Sequence, residues 1–180
     1  MEFVLQKFAP IRKRSTATFL VVLCCLFICC NNSSDHLFTN LSSSKTNIHF
    51  SNNLKKQKAF GILYYLYYYN GGGVATGDVN NDGLPDIYFT ANSNGNNKLY
   101  LNKGNFEFED ITEKAGVAGS ADWCTGVTMA DVNGDGFLDI YVSAVSQTHN
   151  LQGHNQLFIN NGLTNSPQIS GQGLGEVTFT

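Results

Sequence analysis

Residues 73–88 read GVATGDVNNDGLPDIY, and residues 126–141 read GVTMADVNGDGFLDIY, so the same pattern returns after 53 residues. A second element follows each copy: NKLYLNKG at residues 97–104 returns as NQLFINNG at residues 155–162, 58 residues later. A third element lies at residues 106–112 and has a counterpart at residues 177–180. The unequal offsets indicate strands of constant length joined by loops of variable length, which is typical of an internal structural repeat.

Each repeat unit is predicted to contain four short strands. Runs of β-branched and aromatic residues alternate with Gly, Asn and Asp clusters, and no segment has an apolar stripe at helical spacing. The predicted strands include residues 47–50, 86–90, 98–102, 106–112, 139–143 and 156–160. Four strands in about 50 residues are typical of a propeller blade. The predicted fold class is therefore all-β, a partial β-propeller of about two to three four-stranded blades.

The repeats occupy residues 47–180, and the sequence ends at Thr180, inside a predicted strand. A blade cannot bury both of its faces alone, so several blades must stack. We therefore expect these repeats to be a fragment of a longer propeller, truncated at the C-terminus.

Both long repeats contain the pattern Asp-x-Asn-x-Asp-Gly-x-x-Asp, which is typical of a calcium-binding loop. Calcium prefers about six to eight oxygen ligands. Positions 1, 3 and 5 can point oxygens at one centre, the Gly at position 6 permits a sharp bend, position 7 offers a backbone carbonyl, and position 9 closes the site. The predicted ligands are Asp78, Asn80, Asp82, the Leu84 carbonyl and Asp86, then Asp131, Asn133, Asp135, the Phe137 carbonyl and Asp139.

An alternative interpretation is a plain turn, since Asp, Asn and Gly favour turns through local hydrogen bonds. Neither loop contains a basic residue to neutralise its three carboxylates, and the spacing is identical in both copies, which favours a cation. An EF-hand is not predicted. Its twelfth position should be a bidentate Glu, and that position holds Phe89 in the first loop and Val142 in the second.

The repeated pattern resembles the FG-GAP/VCBS repeat, the blade of integrin-α-type propellers. More narrowly, residues 69–73, 97–104 and 108–112 resemble bacterial surface proteins that join such repeats to an ASPIC/UnbV region. The resemblance covers about residues 47–180. It implies a structural calcium ion that ties adjacent strands of a blade together.

The N-terminus reads as an export signal. Four basic residues precede an apolar run from Phe19 to Cys30, and this run of 12 residues is shorter than the roughly 20 that a membrane-spanning helix needs. An uncleaved anchor or a buried core helix is the alternative. Because four cysteines end this run, residues 1–30 resemble a bacterial lipoprotein signal, with Cys30 favoured over Cys29 for lipid attachment.

Residues 31–46 are rich in Ser, Asn and Thr and are predicted to be a flexible tether. The predicted location is the bacterial cell envelope, at the outer membrane or cell surface, with the lipid as the contact to the membrane. After processing at Cys30, only Cys124 would remain as a thiol, so no intrachain disulfide is predicted.

Charge argues against a nucleic-acid partner. The whole chain has a net charge of −3, residues 31–180 have a net charge of −6, and no arginine follows Arg14. The remaining candidates for catalysis are two histidines in a long loop, His149 and His154, and the thiol of Cys124. Loop polarity and core packing explain them more simply, because no nucleophile–base pair is evident.

The predicted function is a non-catalytic calcium-binding module that binds an unidentified protein or glycan. The alternative is the propeller part of a larger surface enzyme acting on polysaccharide, with its catalytic residues outside this chain. The tyrosine-rich run at residues 64–69 permits two interpretations, a stacking platform for sugars or ordinary core and edge packing, and we expect the packing role.

Overall fold

The computed structural model describes residues 37–54, 60–92, 96–146, 150–164 and 176–180. The chain divides into two units, residues 1–40 and residues 41–180. The first unit lies almost entirely outside the described residues, and so do the predicted signal segment, Cys29 and Cys30. The architecture below is that of the second unit.

The second unit is built from short antiparallel strands with few helical turns. The strands are β1 (Val74–Gly77), β2 (Asp86–Phe89), β3 (Lys98–Asn102), β4 (Phe108–Asp110), β5 (Cys124–Ala130), β6 (Asp139–Ala144), β7 (Gln156–Phe158), β8 (Asn160–Thr164) and β9 (Glu176–Phe179). The helices are α1 (Ser43–Thr46) and α2 (Thr112–Ala115). The all-β class predicted from the sequence is confirmed.

The first four strands form one antiparallel sheet in the order β1-β2-β3-β4. Each strand pairs with the next along the chain, with Ala75 opposite Tyr88 and Tyr88 opposite Leu99. Such a four-stranded meander is the unit of a propeller blade. The predicted strand at residues 98–102 matches β3, and the predicted strand at residues 86–90 contains β2.

The second repeat has the same strand order, with a break in its third strand. Strands β5, β6 and β7 form one sheet, while β8 and β9 form another. Only Ile159 separates β7 from β8, and its backbone exchanges two hydrogen bonds of 2.9 Å with Thr180. The pairing of β8 with β9 shifts register between Asn160 and Leu163. The prediction of one strand over residues 156–160 is therefore wrong in this detail, because the chain pairs with β6 up to Phe158 and with β9 from Asn160 onward.

Two further strand predictions need correction near the helices. Residues 47–50 form no strand, because Asn47 ends α1 in the left-handed conformation with φ 59°. The strand predicted over residues 106–112 is limited to β4, because Phe106 sits in a turn with φ 59° and Thr112 already begins α2. In the described ranges no helix is both long and apolar enough to cross a membrane.

The main core lies between the two repeats and includes side chains from both. Its fully buried members include Val79, Tyr88 and Leu99 of the first repeat and Ile140 and Val142 of the second. Val117, which follows α2, joins them and accepts a hydrogen bond of 2.6 Å from the Tyr88 hydroxyl. Both copies of the repeat therefore share one hydrophobic core.

Strands β1 and β5 run close to each other, and glycines permit this approach. A Cβ atom on Gly73 would lie 3.0 Å from the Cα of Gly126, and one on Gly77 would lie 2.6 Å from a methyl group of Leu138. The repeated Gly-Val that opens each copy thus has a packing cause, since only a residue without a side chain fits at Gly73.

The tyrosine-rich run forms successive turns over residues 61–70. Tyr68 is buried and packs with Phe60 and Trp123 in a second, smaller apolar cluster. Tyr64, Tyr67 and Tyr69 remain exposed. The expected packing role is therefore confirmed for Tyr68, while most of the run lies at the surface.

Removing the hydroxyl of Tyr88 should destabilise the core. In Tyr88→Phe the buried carbonyl of Val117 loses the hydrogen bond that the Tyr88 hydroxyl donates, which typically costs about 1–3 kcal/mol. Urea unfolding of the wild type and the variant measures the loss. The control is Tyr141→Phe, because Tyr141 is 40% exposed. Equal stability of Tyr88→Phe and the wild type would contradict the role of this bond.

Candidate functional site

The two acidic loops connect equivalent strands of the two repeats. The first loop (residues 78–86) joins β1 to β2, and the second loop (residues 131–139) joins β5 to β6. Both loops have nearly the same set of hydrogen bonds, so the two copies are equivalent in their atomic contacts as well as in their sequence. Each predicted ligand side chain therefore has a counterpart at the same position of the other loop.

The carboxylate at position 1 is the centre around which the backbone bends. Asp78 accepts hydrogen bonds from the backbone N–H groups of Asp82 at 3.1 Å and Gly83 at 2.7 Å. Asp131 accepts the corresponding bonds at 3.2 and 2.9 Å, and a third from Gly134 at 2.7 Å. The hydrogen bond from Gly136, together with those from neighbouring N–H groups, lowers the pKa of Asp131. The second loop thus holds an ionised carboxylate at its start.

Positions 3 and 5 form a second set of local bonds. The Asn80 side-chain amide donates to Asp82 at 2.9 Å, and Asp82 accepts a further bond of 2.8 Å from the Leu84 N–H. In the second loop the equivalent distances are 2.8 and 2.9 Å. The predicted ligands at positions 1, 3 and 5 are therefore exposed side chains of one tight turn in each loop, apart from half-buried Asp78 and Asn80.

The carboxylate at position 9 has a different environment, because it is buried. Asp86 is 0% exposed and Asp139 is 1% exposed. Asp86 accepts a hydrogen bond of 2.9 Å from the Val79 N–H in the loop and one of 2.8 Å from the Asn102 N–H at the end of β3. Asp139 accepts the equivalent bonds from Val132 and Asn160 at 2.9 and 2.8 Å. This carboxylate joins the loop to the third strand of its blade.

Burial raises the pKa of Asp86 to about 6, against an ordinary value of 3.8. The two backbone hydrogen bonds oppose this rise, while repulsion from Asp82 and Asp78 adds to it. Three acidic groups in one loop therefore influence one another, and the buried group is the hardest to ionise.

Asn102 and Asn160 are functional positions that the sequence reasoning did not identify. Each side-chain oxygen accepts a bond of 2.9 Å from a glycine N–H two residues later, Gly104 or Gly162. The side-chain amides donate to the carbonyls of Pro85 at 2.9 Å and Leu138 at 3.2 Å, just before the position 9 carboxylate. The signal was present as Asn-x-Gly in both copies, but the pattern alone does not reveal a bond to a loop about 20 residues earlier.

Two side-chain bonds connect the first loop to the second repeat. The buried Asn160 amide donates to the Val79 carbonyl at 2.8 Å, and the Asn81 amide donates to the Gly136 carbonyl at 3.0 Å. Asn160 therefore contacts both loops, because its own backbone N–H binds Asp139. Asn102 makes the equivalent bonds to Asp86, Pro85 and Gly104, all within its own repeat.

The donor chemistry of the loops fits a hard cation such as calcium, since every predicted ligand atom is oxygen. Within the described residues, however, no three His, Cys, Asp or Glu side chains converge closely enough to hold a metal ion. The carboxylates instead accept loop N–H groups, and the Asn80 and Asn133 amides donate to their neighbouring carboxylates. Each loop therefore places the predicted ligand oxygens in one bend, but the described residues do not enclose a metal position.

The other sequence candidates have ordinary surroundings or lie outside the described residues. His149 lies outside them. His154 is exposed, with its ring 3.4 Å from the Ser120 hydroxyl. The Cys124 thiol is buried between Asn97 and the Ala121 carbonyl, and burial raises its pKa. The interpretation of Cys124 as a packed cysteine is confirmed.

Comparison with known proteins supports the repeat assignment. Residues 78–142 match the model of the FG-GAP-like repeat. Cartilage acidic protein 1 of Xenopus tropicalis is 39% identical over 79 residues, and its Mus musculus and Homo sapiens counterparts are 38% and 37% identical over the same length. The matched segment is 44% of this chain and 12% of each relative, so the similarity covers a small part of those proteins. No solved structure matches significantly.

The chain thus contains FG-GAP-like repeats in a β-propeller-like arrangement. The matched residues include both acidic loops and the strands β2 to β5 between them. The narrower resemblance to bacterial ASPIC/UnbV lipoproteins stays a prediction.

Replacing Asn160 should destabilise the protein more than replacing Asn102. Both alanine variants lose the bond to the glycine N–H and the bond to the loop carbonyl, but only Asn160→Ala also loses the link to Val79. We expect Asn160→Ala to lower the free energy of unfolding by an additional amount of about 1–3 kcal/mol, because the Val79 carbonyl is buried and loses this donor. Urea unfolding of the two variants provides the comparison. Equal losses would show that the link between the repeats contributes nothing.

Proposed function

We propose that this chain is a non-catalytic binding module whose FG-GAP-like repeats are stabilised by calcium. The observation that supports the proposal is the pair of loops with identical spacing and matching hydrogen bonds. Each loop gathers three carboxylates and no basic residue. A cation bound there would relieve the mutual repulsion that contributes to the raised pKa of Asp86.

The ligands in this proposal are oxygen atoms from alternate positions of each loop. The carboxylates at positions 1 and 5 are ionisable groups at the surface, and each already lies in the bend that the glycine at position 6 allows. The proposed set is Asp78, Asn80, Asp82, the Leu84 carbonyl and Asp86, with Asp131, Asn133, Asp135, the Phe137 carbonyl and Asp139 in the second loop.

Calcium at these positions would have a structural role. Asp86 and Asp139 hold the third strand of each blade through the Asn102 and Asn160 N–H groups. A cation that fixed the same carboxylate would fix the loop and two strands together. The loops would thus order the blade, and the surfaces beyond them would be available for a protein or glycan ligand.

We also propose that the module is exported and anchored by a lipid on Cys30 in a bacterial cell envelope, at the outer membrane or cell surface. The support is the basic segment, the short apolar run and the polar residues that follow it. The anchor would hold the repeats at a membrane surface through the tether of residues 31–46.

Calcium should raise the thermal midpoint of unfolding. Binding to the folded state alone adds about 2.7 kcal/mol per site at about one hundred times Kd. Melting curves in calcium and in chelator measure the difference. Asp82→Ala and Asp135→Ala should each remove one site, whereas Glu113→Gln, on α2 outside the loops, should leave the response unchanged. Identical midpoints in calcium and chelator would overturn the proposed metal.

In chelator, the contribution of Asp86 to stability should fall as the pH rises from about 4 to about 6. The pKa of Asp86 is raised in the folded protein to about 6 from 3.8, so the folded state keeps a proton that the unfolded chain has released. This stabilisation is present below the unfolded pKa and disappears above the folded one. Calcium should oppose the fall, because it binds the ionised carboxylate.

Urea midpoints across this pH range, with chelator and with calcium, provide the measurement. Asp86→Asn is the control variant, because it removes the titrating group and should flatten the decline in chelator. A decline of the same size in Asp86→Asn would show that other carboxylates cause it.

A further inference from the structure

A cleft of about 330 Å³ lies beside the tyrosine-rich turns, away from the acidic loops. Its lining contains an aromatic wall of Tyr65 and Tyr67, together with Thr125 and Val145. Asn70, Gly71 and Gly72 complete the described lining. Its volume falls within the range of small-molecule binding sites, which begins at about 300 Å³.

The aromatic wall is held in place by the second apolar cluster. The Tyr65 ring lies 5.6 Å from the Phe60 ring and 6.0 Å from the Trp123 ring. The Tyr67 ring meets Tyr65 edge-on, at 5.7 Å and 73°. A backbone bond of 3.1 Å from the Asn70 N–H to the Tyr67 carbonyl closes the turn between them. The wall is thus fixed before any ligand arrives, which reduces the entropic cost of binding.

The Tyr67 side chain lies at the surface, although the neighbouring residue of the run is packed. Tyr67 is 63% exposed, while Tyr68 beside it is 5% exposed and supplies the packing of the turn. Leu66 is 78% exposed on the other side. Exposed aromatic and aliphatic groups gathered in one place mark a surface that contacts a ligand.

The chemistry of the lining indicates what kind of ligand would fit. Aromatic faces suit a flat apolar surface, and the Asn70 amide and Thr125 hydroxyl can exchange hydrogen bonds with hydroxyl groups. The lining residues that the structure describes carry uncharged side chains, which favours an uncharged ligand. A sugar ring combines an apolar face of C–H groups with a rim of hydroxyls.

We propose that this cleft binds an uncharged carbohydrate, with the exposed Tyr67 ring stacking on a sugar ring, Tyr65 lining the wall beside it, and Asn70 and Thr125 contacting the sugar hydroxyls. The inference rests on the proposed function as a binding module and adds its ligand class and site. It also returns to the sugar-stacking interpretation of the tyrosine run, at one specified ring.

The test is titration of the full chain in calcium with uncharged oligosaccharides, namely glucan, mannan, xylan and galactan fragments, and with sulfated and uronic-acid oligosaccharides. Trp123 is the only tryptophan and contacts Tyr65, so its fluorescence reports on the aromatic wall. Calorimetry gives the dissociation constants. We expect at least one uncharged fragment to bind, and none of the charged ones to bind as tightly.

Tyr67→Ala should weaken this binding about tenfold or more, while Tyr67→Phe, which keeps the ring, should stay within about threefold. Tyr64→Ala is the matched control, because Tyr64 is 66% exposed in the same run and does not line the cleft. Thermal melts show whether each variant folds.

Equal losses in Tyr64→Ala and Tyr67→Ala would place the sugar elsewhere and overturn the proposal. Binding confined to charged oligosaccharides, or absent for every fragment, would also overturn it. Calcium-dependent melting of the same samples separates the two ideas. If calcium stabilises the protein and no uncharged sugar binds, the inference about the cleft fails and the calcium-stabilised module stands.

Discussion

The buried carboxylate at the end of each acidic loop is the constraint on which the blades depend. Asp86 and Asp139 each use two oxygens to hold two backbone N–H groups, one in the loop and one at the end of the third strand. A neutral side chain could not accept both bonds with the same strength, since charge-assisted bonds are the stronger ones. The cost of burying the charge is visible in the raised pKa of Asp86. Other features of the blade, such as the tight loop and the Asn-x-Gly turn, lie around this one group.

The two repeats make equivalent hydrogen bonds within their own loops, but each contributes different contacts where the repeats meet. Gly73 approaches Gly126 so closely that a side chain at Gly73 would crowd the backbone of the second repeat. Asn160 adds a polar contact to the same junction. The two copies therefore bury apolar side chains against each other. This is expected of a solenoid or propeller unit, which cannot bury both of its faces alone.

Sequence reasoning located the features that repeat and missed those that depend on distant contacts. The acidic loops, β2 and β3 follow from local patterns, because the Asp/Asn/Gly spacing and the strand alternation are set within a few residues. Composition favoured strands at residues 47–50 and 106–112, but Asn47 and Phe106 adopt left-handed backbone conformations. The first of these strands does not form, and the second begins only at Phe108. The role of Asn160 was invisible, because its partner Val79 lies 81 residues away. The calcium ligands stay a prediction that chemistry supports.

The unequal lengths of the two outer hairpins show where this architecture tolerates change. Asn102 pairs with Phe108 in the first repeat, and Asn160 pairs with Phe179 in the second, so the same anchoring asparagine precedes a much longer connection. Closing a longer loop costs little, about 0.6 kcal/mol for each doubling of its length. Because the anchoring asparagine comes before the extra residues in the chain, added residues do not disturb the acidic loop or the core. The outer hairpin is thus a natural insertion point, suited to carrying a grafted epitope or an affinity tag.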